Sequence, residues 1–108
     1  MKRLFFLIIL LLVYGASAGL AETTIKTTIK NQRFFPDEFH LKSDMPVVFQ
    51  IINEDKIPVE FESTDLNKEK MVLPGKMLEI TLKGLKPGIY EFFSDFGPKE
   101  LRGRIIVE

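Results

Sequence analysis

The chain has 108 residues, enough for one small domain, and 45% of them are hydrophobic, which is sufficient for a folded core. Its 15 basic and 15 acidic residues give a net charge of zero, and they are mixed along the chain. This composition argues against nucleic acid as a partner, because phosphate binding needs clustered lysine and arginine residues. No cysteine is present, so disulfides, zinc–thiolate sites and thiol chemistry are also excluded.

Residues 1–21 have the pattern of a secretory signal peptide. Lys2 and Arg3 form a basic start, residues 4–14 are an unbroken apolar run, and small residues follow as far as Ala21. The run is shorter than the roughly 20 residues that a membrane-spanning helix needs. An uncleaved N-terminal anchor is the alternative. We therefore expect a secreted or periplasmic protein with one domain over residues 22–108 and no membrane span after cleavage.

Polar and apolar residues alternate with a period of two through most of the remaining chain, a pattern typical of half-buried strands. The strands predicted in this way cover residues 24–30, 38–42, 46–53, 59–63 and 77–82, and the final stretch is predicted to be a strand, a loop and a closing strand, with strands over 89–93 and 102–107. Phe34-Phe35-Pro36 is predicted to be a kinked connection, because proline cannot donate to a strand ladder. Residues 64–70 are polar, and we expect turns with room for one helical turn. The fold class predicted is therefore an all-β sandwich or barrel of about seven or eight strands.

The final part of the chain has the most informative order of residues. Tyr90-Glu91-Phe92-Phe93 enters a loop, and a closing strand leaves it at Arg102-Gly103. This unit resembles the strand–loop–strand unit of cupredoxins, the blue-copper fold, where it carries three of the four metal ligands. The resemblance implies a cupredoxin-like Greek-key β-sandwich. Periodicity alone does not separate that fold from an immunoglobulin-like sandwich.

Further motifs extend the resemblance over nearly all of residues 22–108. They are, in chain order, Phe34-Phe35-Pro36, Asn53-Glu54-Asp55, Glu60-Phe61-Glu62-Ser63, Glu69-Lys70, Leu85-Lys86-Pro87-Gly88 and Arg102-Gly103. Together they are similar to the cupredoxin-like (EfeO-type) domain associated with bacterial periplasmic iron transport. The resemblance implies a metal ion, iron or copper, and partners among the periplasmic or membrane components of a metal transport system.

The resemblance also assigns four positions to copper ligands, and none holds the ligand expected there. The positions are occupied by Glu60, Ser94, Gly97 and Leu101. Type 1 copper requires a cysteine thiolate and two imidazoles, so that centre and copper electron transfer are excluded. The iron-associated type usually has Glu-Phe-His in its closing loop. This chain has Asp95, Phe96 and Gly97, and the glycine offers no ligand.

Carboxylates are the remaining candidate metal ligands. Glu60 and Glu62 are two residues apart on a predicted strand, so both side chains are expected on one face. If Glu69 and Asp95 approach them, the four oxygen donors would suit iron or manganese. Without a cation, such crowding would raise the pKa of one carboxyl group. The alternative is that Glu60 and Glu62 are solvated and that Glu69 pairs with a neighbouring lysine, Lys68 or Lys70.

Other residues support a binding protein rather than an enzyme. Phe96 is predicted to be a docking residue, because an exposed aromatic side chain beside the closing loop would mark a partner surface. His40 is expected at the surface, and Met71 is expected to fill the core. No nucleophile and base lie near each other in the sequence, so no catalytic residues are predicted. Two hypotheses follow: an accessory metal-binding or partner-docking component of metal transport, or a metal-free interaction module on the same scaffold.

Overall fold

Alternating apolar residues build two sheets that bury their apolar faces against each other. A computed structural model describes residues 22–95 and 97–108. Within these ranges there are nine strands: β1 (Thr23–Lys30), β2 (Arg33–Phe35), β3 (Glu38–Leu41), β4 (Val47–Asn53), β5 (Val59–Ser63), β6 (Lys68–Val72), β7 (Met77–Leu82), β8 (Gly88–Phe93) and β9 (Arg102–Val107). The predicted signal peptide and Phe96 lie outside the described residues.

The strands form a four-stranded sheet in the order β2-β1-β4-β7 and a five-stranded sheet in the order β3-β9-β8-β5-β6. Strand β1 runs parallel to β4, and β3 runs parallel to β9. All other neighbouring strands in the two sheets are antiparallel. The all-β sandwich predicted from the sequence is confirmed. None of the described residues belongs to a helix long and apolar enough to cross a membrane.

A group of phenylalanines joins the two sheets at the centre of the core. The four-stranded sheet contributes Phe34 and Phe49, and the five-stranded sheet contributes Phe61 and Phe92. The ring of Phe92 lies 5.0 Å from that of Phe34, 5.3 Å from that of Phe49 and 5.5 Å from that of Phe61. Aromatic pairs of this kind contribute about 0.5–1.5 kcal/mol each beyond area burial, so they support a small core that has no disulfide.

The predictions for two short strands were wrong. Residues 68–70 belong to β6 and not to a turn. Phe34 and Phe35 belong to β2 and not to a kinked connection, and the strand ends at a cis peptide bond between Phe35 and Pro36. Strand β6 is at the edge of its sheet and its first four residues are exposed, so it lacks the apolar alternation that marks a half-buried strand. The core position predicted for Met71 was also wrong. Met71 is 51% exposed, because it lies on the outer face of an edge strand.

Side chains of the Asn53-x-Asp55 motif tie three parts of the chain together. The buried Asn53 Nδ2 donates to the carbonyl oxygen atoms of Ile57 at 2.8 Å and Val72 at 3.0 Å. The Asp55 carboxylate accepts the backbone N–H groups of Asn31 at 2.7 Å and Gln32 at 2.8 Å, the two left-handed residues of the β1–β2 turn. The motif therefore has a structural role at this end of the sandwich.

A second set of polar contacts fixes β5 beside β8. Ser63 Oγ donates to the Glu91 carbonyl oxygen at 2.6 Å, and the Asp65 carboxylate accepts the Glu91 N–H at 2.8 Å. These bonds support a pairing in which Glu62 stands opposite Phe93. The register of β5 against β8 therefore determines which side chains lie close together on the outer face of this sheet.

Candidate metal centre

Strand β5 directs two glutamates away from the core. Val59, Phe61 and Ser63 are buried on its inner face, and the intervening Glu60 and Glu62 are partly buried on its outer face. This alternation follows from the period of two along a strand. The outer surface of the five-stranded sheet therefore carries both carboxylates.

Neighbouring strands bring further carboxylates to the same surface. Glu62 stands opposite Glu69 on β6 and opposite Phe93 on β8, and directly opposite residues of antiparallel strands share a face. Asp95 lies two residues beyond Phe93, at the level of Glu60. One carboxylate oxygen from each of Glu60, Glu62 and Asp95 lies within 4.8 Å of the other two. We call these three residues the carboxylate cluster.

Glu69, the fourth predicted ligand, lies beside the carboxylate cluster and not within it. It is exposed and lines an open cavity of about 380 Å³ together with Glu62, Asp95 and Lys68. Within residues 22–95 and 97–108, Glu69 forms no ion pair with Lys68 or Lys70. The structure thus brings three of the predicted residues together and places Glu69 at the rim.

Glu62 is the member of the carboxylate cluster whose charged form is destabilised by its surroundings. A hydrogen bond to Asp95, partial burial, a hydrogen bond to Glu60 and repulsion from both carboxylates raise its pKa from 4.5 to about 7. Its Oε2 atom is buried and has no hydrogen-bond partner among the described residues. A carboxyl group in this environment either keeps a proton near neutral pH or gains stability from a cation.

The donor chemistry of the carboxylate cluster suits a hard or borderline cation. Carboxylates are preferred ligands of ions such as manganese, and they also serve in iron sites. Three carboxylates can bind in monodentate or bidentate fashion, and Glu69 can approach as a further oxygen donor. No sulfur or imidazole group is needed for such a site.

The four positions that the resemblance assigns to copper ligands hold no set of copper ligands, although Ser94, Gly97 and Leu101 line one cavity. Ser94 and Leu101 are buried, Gly97 has no side chain, and Glu60 faces outward from the sheet. The full sequence has no cysteine to supply the thiolate of a type 1 centre. The residues present therefore do not fit type 1 copper, and the carboxylate cluster lies on the outer surface of the sheet.

Sequence reasoning missed the residues that position the carboxylate cluster. The side chains of Ser63 and Asp65 bond to the Glu91 backbone and so hold β5 beside β8. Phe93 lines the cavity. The serine was visible as a polar residue on the buried face of a strand, which is a signal for a required hydrogen bond. His40 is exposed as predicted, and its Nε2 lies 2.9 Å from a Glu38 oxygen.

Comparisons with known proteins agree with this architecture. The sequence profile of the cupredoxin-like domain family matches residues 3–107. An uncharacterised protein from Rickettsia prowazekii (strain Madrid E) is 38% identical over 109 residues, which cover 96% of this chain and 86% of that protein. The cupredoxin-like assignment made from the motifs is therefore confirmed at the level of the family.

Solved structures show the same fold. Auracyanin A, a blue copper protein from Chloroflexus aurantiacus, is similar with a TM-score of 0.69 and 11% identity, over 82% of this chain and 100% of that one. The Cu(I)-bound metal-binding domain of the Cu(I)-exporting ATPase CopA from Streptococcus pneumoniae D39 is similar with a TM-score of 0.66 and 14% identity, over 79% and 84% of the two chains. At these identities the likeness concerns the fold.

Proposed function

The chain belongs to the cupredoxin-like domain family, and from that premise we propose that it binds a metal cation through Glu60, Glu62 and Asp95. In this proposal the protein is an accessory component of bacterial iron or other metal transport. The signal-peptide pattern of residues 1–21 supports export to the periplasm. The motifs shared with the iron-associated type support the transport role.

The observation that carries the proposal is the environment of Glu62. Its carboxylate lies within 4.8 Å of two others, and one of its oxygen atoms is buried with no hydrogen-bond donor in residues 22–95 and 97–108. A cation among the three carboxylates would remove their mutual repulsion and coordinate that oxygen. This arrangement supports cation binding more specifically than a group of fully solvated acidic residues would.

Iron and manganese are the metals that we favour. Their oxygen-donor chemistry matches the carboxylate cluster, and iron is also the metal that the motif resemblance implies. The solved structures with the same fold include proteins described as copper-binding, so cuprous and cupric ions are the natural comparison. Carboxylates are poor ligands for cuprous ion, and we expect it to bind more weakly.

A metal-free interaction module is the second candidate function. Gly97 at the histidine position of the iron-associated type favours it, because the closing loop then offers one ligand fewer. In that case Glu62 would keep a proton shared with its neighbours. The two candidates differ in what stabilises the folded state near neutral pH, a cation or a proton.

A thermal melt of residues 22–108 tests the proposal. The metal-stripped protein is heated with ferrous, ferric, manganous, cupric or cuprous ion. At a hundredfold excess over Kd, a bound ion adds about 2.7 kcal/mol to stability, or about 10–20 °C in melting temperature for a domain of this size. We expect this shift with iron or manganese and its loss in Glu62→Gln.

Glu91→Gln is the matched control. Glu91 is an exposed carboxylate on the outer face of the same sheet, outside the carboxylate cluster. We expect this variant to keep the metal-induced shift. A melting temperature independent of every ion would rule out the metal-binding proposal and support the metal-free module.

A further inference from the structure

The outer face of the four-stranded sheet carries a row of largely apolar residues, one from each strand. Phe35 stands opposite Thr28, Thr28 opposite Ile52, and Ile52 opposite Met77. We call these four residues the apolar row. Phe35 is 62% exposed and Met77 is 51% exposed, and the two residues between them are partly buried. With strands about 4.8 Å apart, the row is about 14 Å long.

The core of the sandwich does not require this row. The inner face of the same sheet already supplies the core with Ile29, Phe34 and Ile51, which are nearly or fully inaccessible to solvent. Single exposed apolar residues are normal, but contiguous ones across a sheet mark interaction surfaces. The side chains of the apolar row are therefore available to a partner.

Basic residues flank the apolar row. The strands carry three cations on this face, Lys26, Lys30 and Arg33, and among their described residues one carboxylate, Glu79. Glu79 accepts a hydrogen bond from Gln50 at 3.0 Å. Lys30 and Arg33 stand directly opposite each other, and like charges in such positions repel. Within the described ranges, neither of these two cations has an ion-pair partner. The Asp55 carboxylate accepts the N–H groups of the turn that joins them, but among the described residues it forms no ion pair with either cation. A carboxylate from outside the domain would relieve the remaining repulsion.

We propose that this face docks a segment of a partner protein that presents an apolar stripe flanked by carboxylates. The stripe covers the apolar row, and a carboxylate lies between Lys30 and Arg33. This inference concerns the sheet opposite the carboxylate cluster and is independent of metal binding. A two-turn to three-turn amphipathic helix fits the length of the row, since about nine residues of helix span 14 Å.

The charge distribution favours such a segment over a second copy of this chain. The outer face of the five-stranded sheet carries the carboxylate cluster, so two copies would have to join unlike faces. Contacts between unlike faces generate rings or open chains of copies and not a closed dimer. A membrane is also a weaker alternative. Only three basic residues would attract an anionic surface, and each contributes about 1 kcal/mol there.

The test uses two synthetic helical peptides with the same leucine stripe, flanked by glutamate in one and by lysine in the other. Binding is followed by amide chemical shifts of the isotope-labelled protein. We expect the glutamate peptide to shift the signals of β1, β2 and β4, with an affinity that falls as salt rises. The lysine peptide should not bind.

Substitutions locate the contact. Phe35→Ser should weaken binding of the glutamate peptide about tenfold, because Phe35 is the largest and most exposed apolar side chain of the row. Ile89→Ser is the matched control, because Ile89 is 56% exposed on the other sheet. The affinity of this variant for the glutamate peptide should be unchanged. Lys30→Glu leaves the apolar residues in place and should also weaken binding of the glutamate peptide, so the inference does not depend on one variant.

Several results would overturn the inference. Equal binding of the two peptides would show that the basic flank has no role, and absence of binding would remove the docking surface altogether. Binding to vesicles of anionic phospholipid without binding to the peptide would identify a membrane face. Self-association that disappears in Phe35→Ser would identify a second copy as the occupant.

Discussion

Metal binding at the carboxylate cluster should release a proton from Glu62, and the amount should depend on pH. Contacts with Asp95 and Glu60 and partial burial raise the pKa of Glu62 to about 7. A coordinating carboxylate must be deprotonated, so an incoming cation has to displace this proton. A titration with manganous ion at two pH values, one on each side of the raised pKa, should show this displacement.

The size of the effect follows from the pKa of Glu62. With a pKa of about 7, the group is about nine-tenths protonated at pH 6 and about one-tenth protonated at pH 8. Binding should therefore release about 0.9 proton at pH 6 and about 0.1 proton at pH 8. The apparent affinity should fall about tenfold for each pH unit below 7 and change little above it.

Isothermal titration calorimetry in buffers with different ionisation enthalpies measures this proton release. Glu62→Gln, which cannot ionise, should release no proton at this site at either pH and should bind more weakly. Glu91→Gln should behave as the unmodified protein does. Equal proton release at pH 6 and pH 8, or release that persists in Glu62→Gln, would refute the assignment of the raised pKa to Glu62.

Three further predictions concern stability. In the metal-free protein the pKa of Glu62 is about 7 in the folded state, against an ordinary value of 4.5. Its contribution to stability is therefore complete below pH 4.5 and is lost as pH rises through 7. Thermal melts between pH 4 and 8 should show this decline, and Glu62→Gln should flatten it. Gly103→Ala should destabilise by about 1–3 kcal/mol in urea unfolding, because its new Cβ would lie 2.6 Å from the Asp37 carbonyl oxygen and against a buried ring; an unchanged unfolding midpoint would contradict this. Ser63→Ala removes the donor to the Glu91 carbonyl and should cost about 1–3 kcal/mol in the same assay, whereas retention of full stability would show that this bond is dispensable.

Alternation in the sequence was sufficient to predict the strands that have one buried face. Strands β5 and β7 have the predicted bounds, since apolar and polar residues alternate along them. The shared face of Glu60 and Glu62 follows from the same period. Strand β6 was not predicted, because an edge strand with exposed polar residues leaves no such pattern.

The distance between Asp95 and the two glutamates could not be predicted in this way. It depends on the register of β5 against β8, which links residues about 30 positions apart in the sequence. Contacts from the Ser63 and Asp65 side chains to the backbone of Glu91 in β8 support that register. The raised pKa of Glu62 depends on the resulting distances, so only crowding in general could be anticipated.

The position of the proposed site differs from the interior positions that the resemblance assigns to copper ligands. Buried Ser94 and Leu101 occupy the interior positions that the resemblance assigns to ligands, and they offer no ligand set for type 1 copper. The oxygen donors are on the outside of the five-stranded sheet, where an ion is reached directly from solvent. A site of this kind suits exchange of a cation with a partner better than electron transfer.

The most direct test of the proposed metal centre is to locate a bound paramagnetic ion. Manganous ion is added to the isotope-labelled protein, and broadening of amide signals is measured residue by residue. Broadening should be strongest at Glu60, Glu62 and Asp95 and weaker at Glu69, it should spare β1 and β2, and it should disappear in Glu62→Gln. Broadening centred elsewhere, or unchanged spectra at millimolar manganese, would contradict a cation site at these carboxylates.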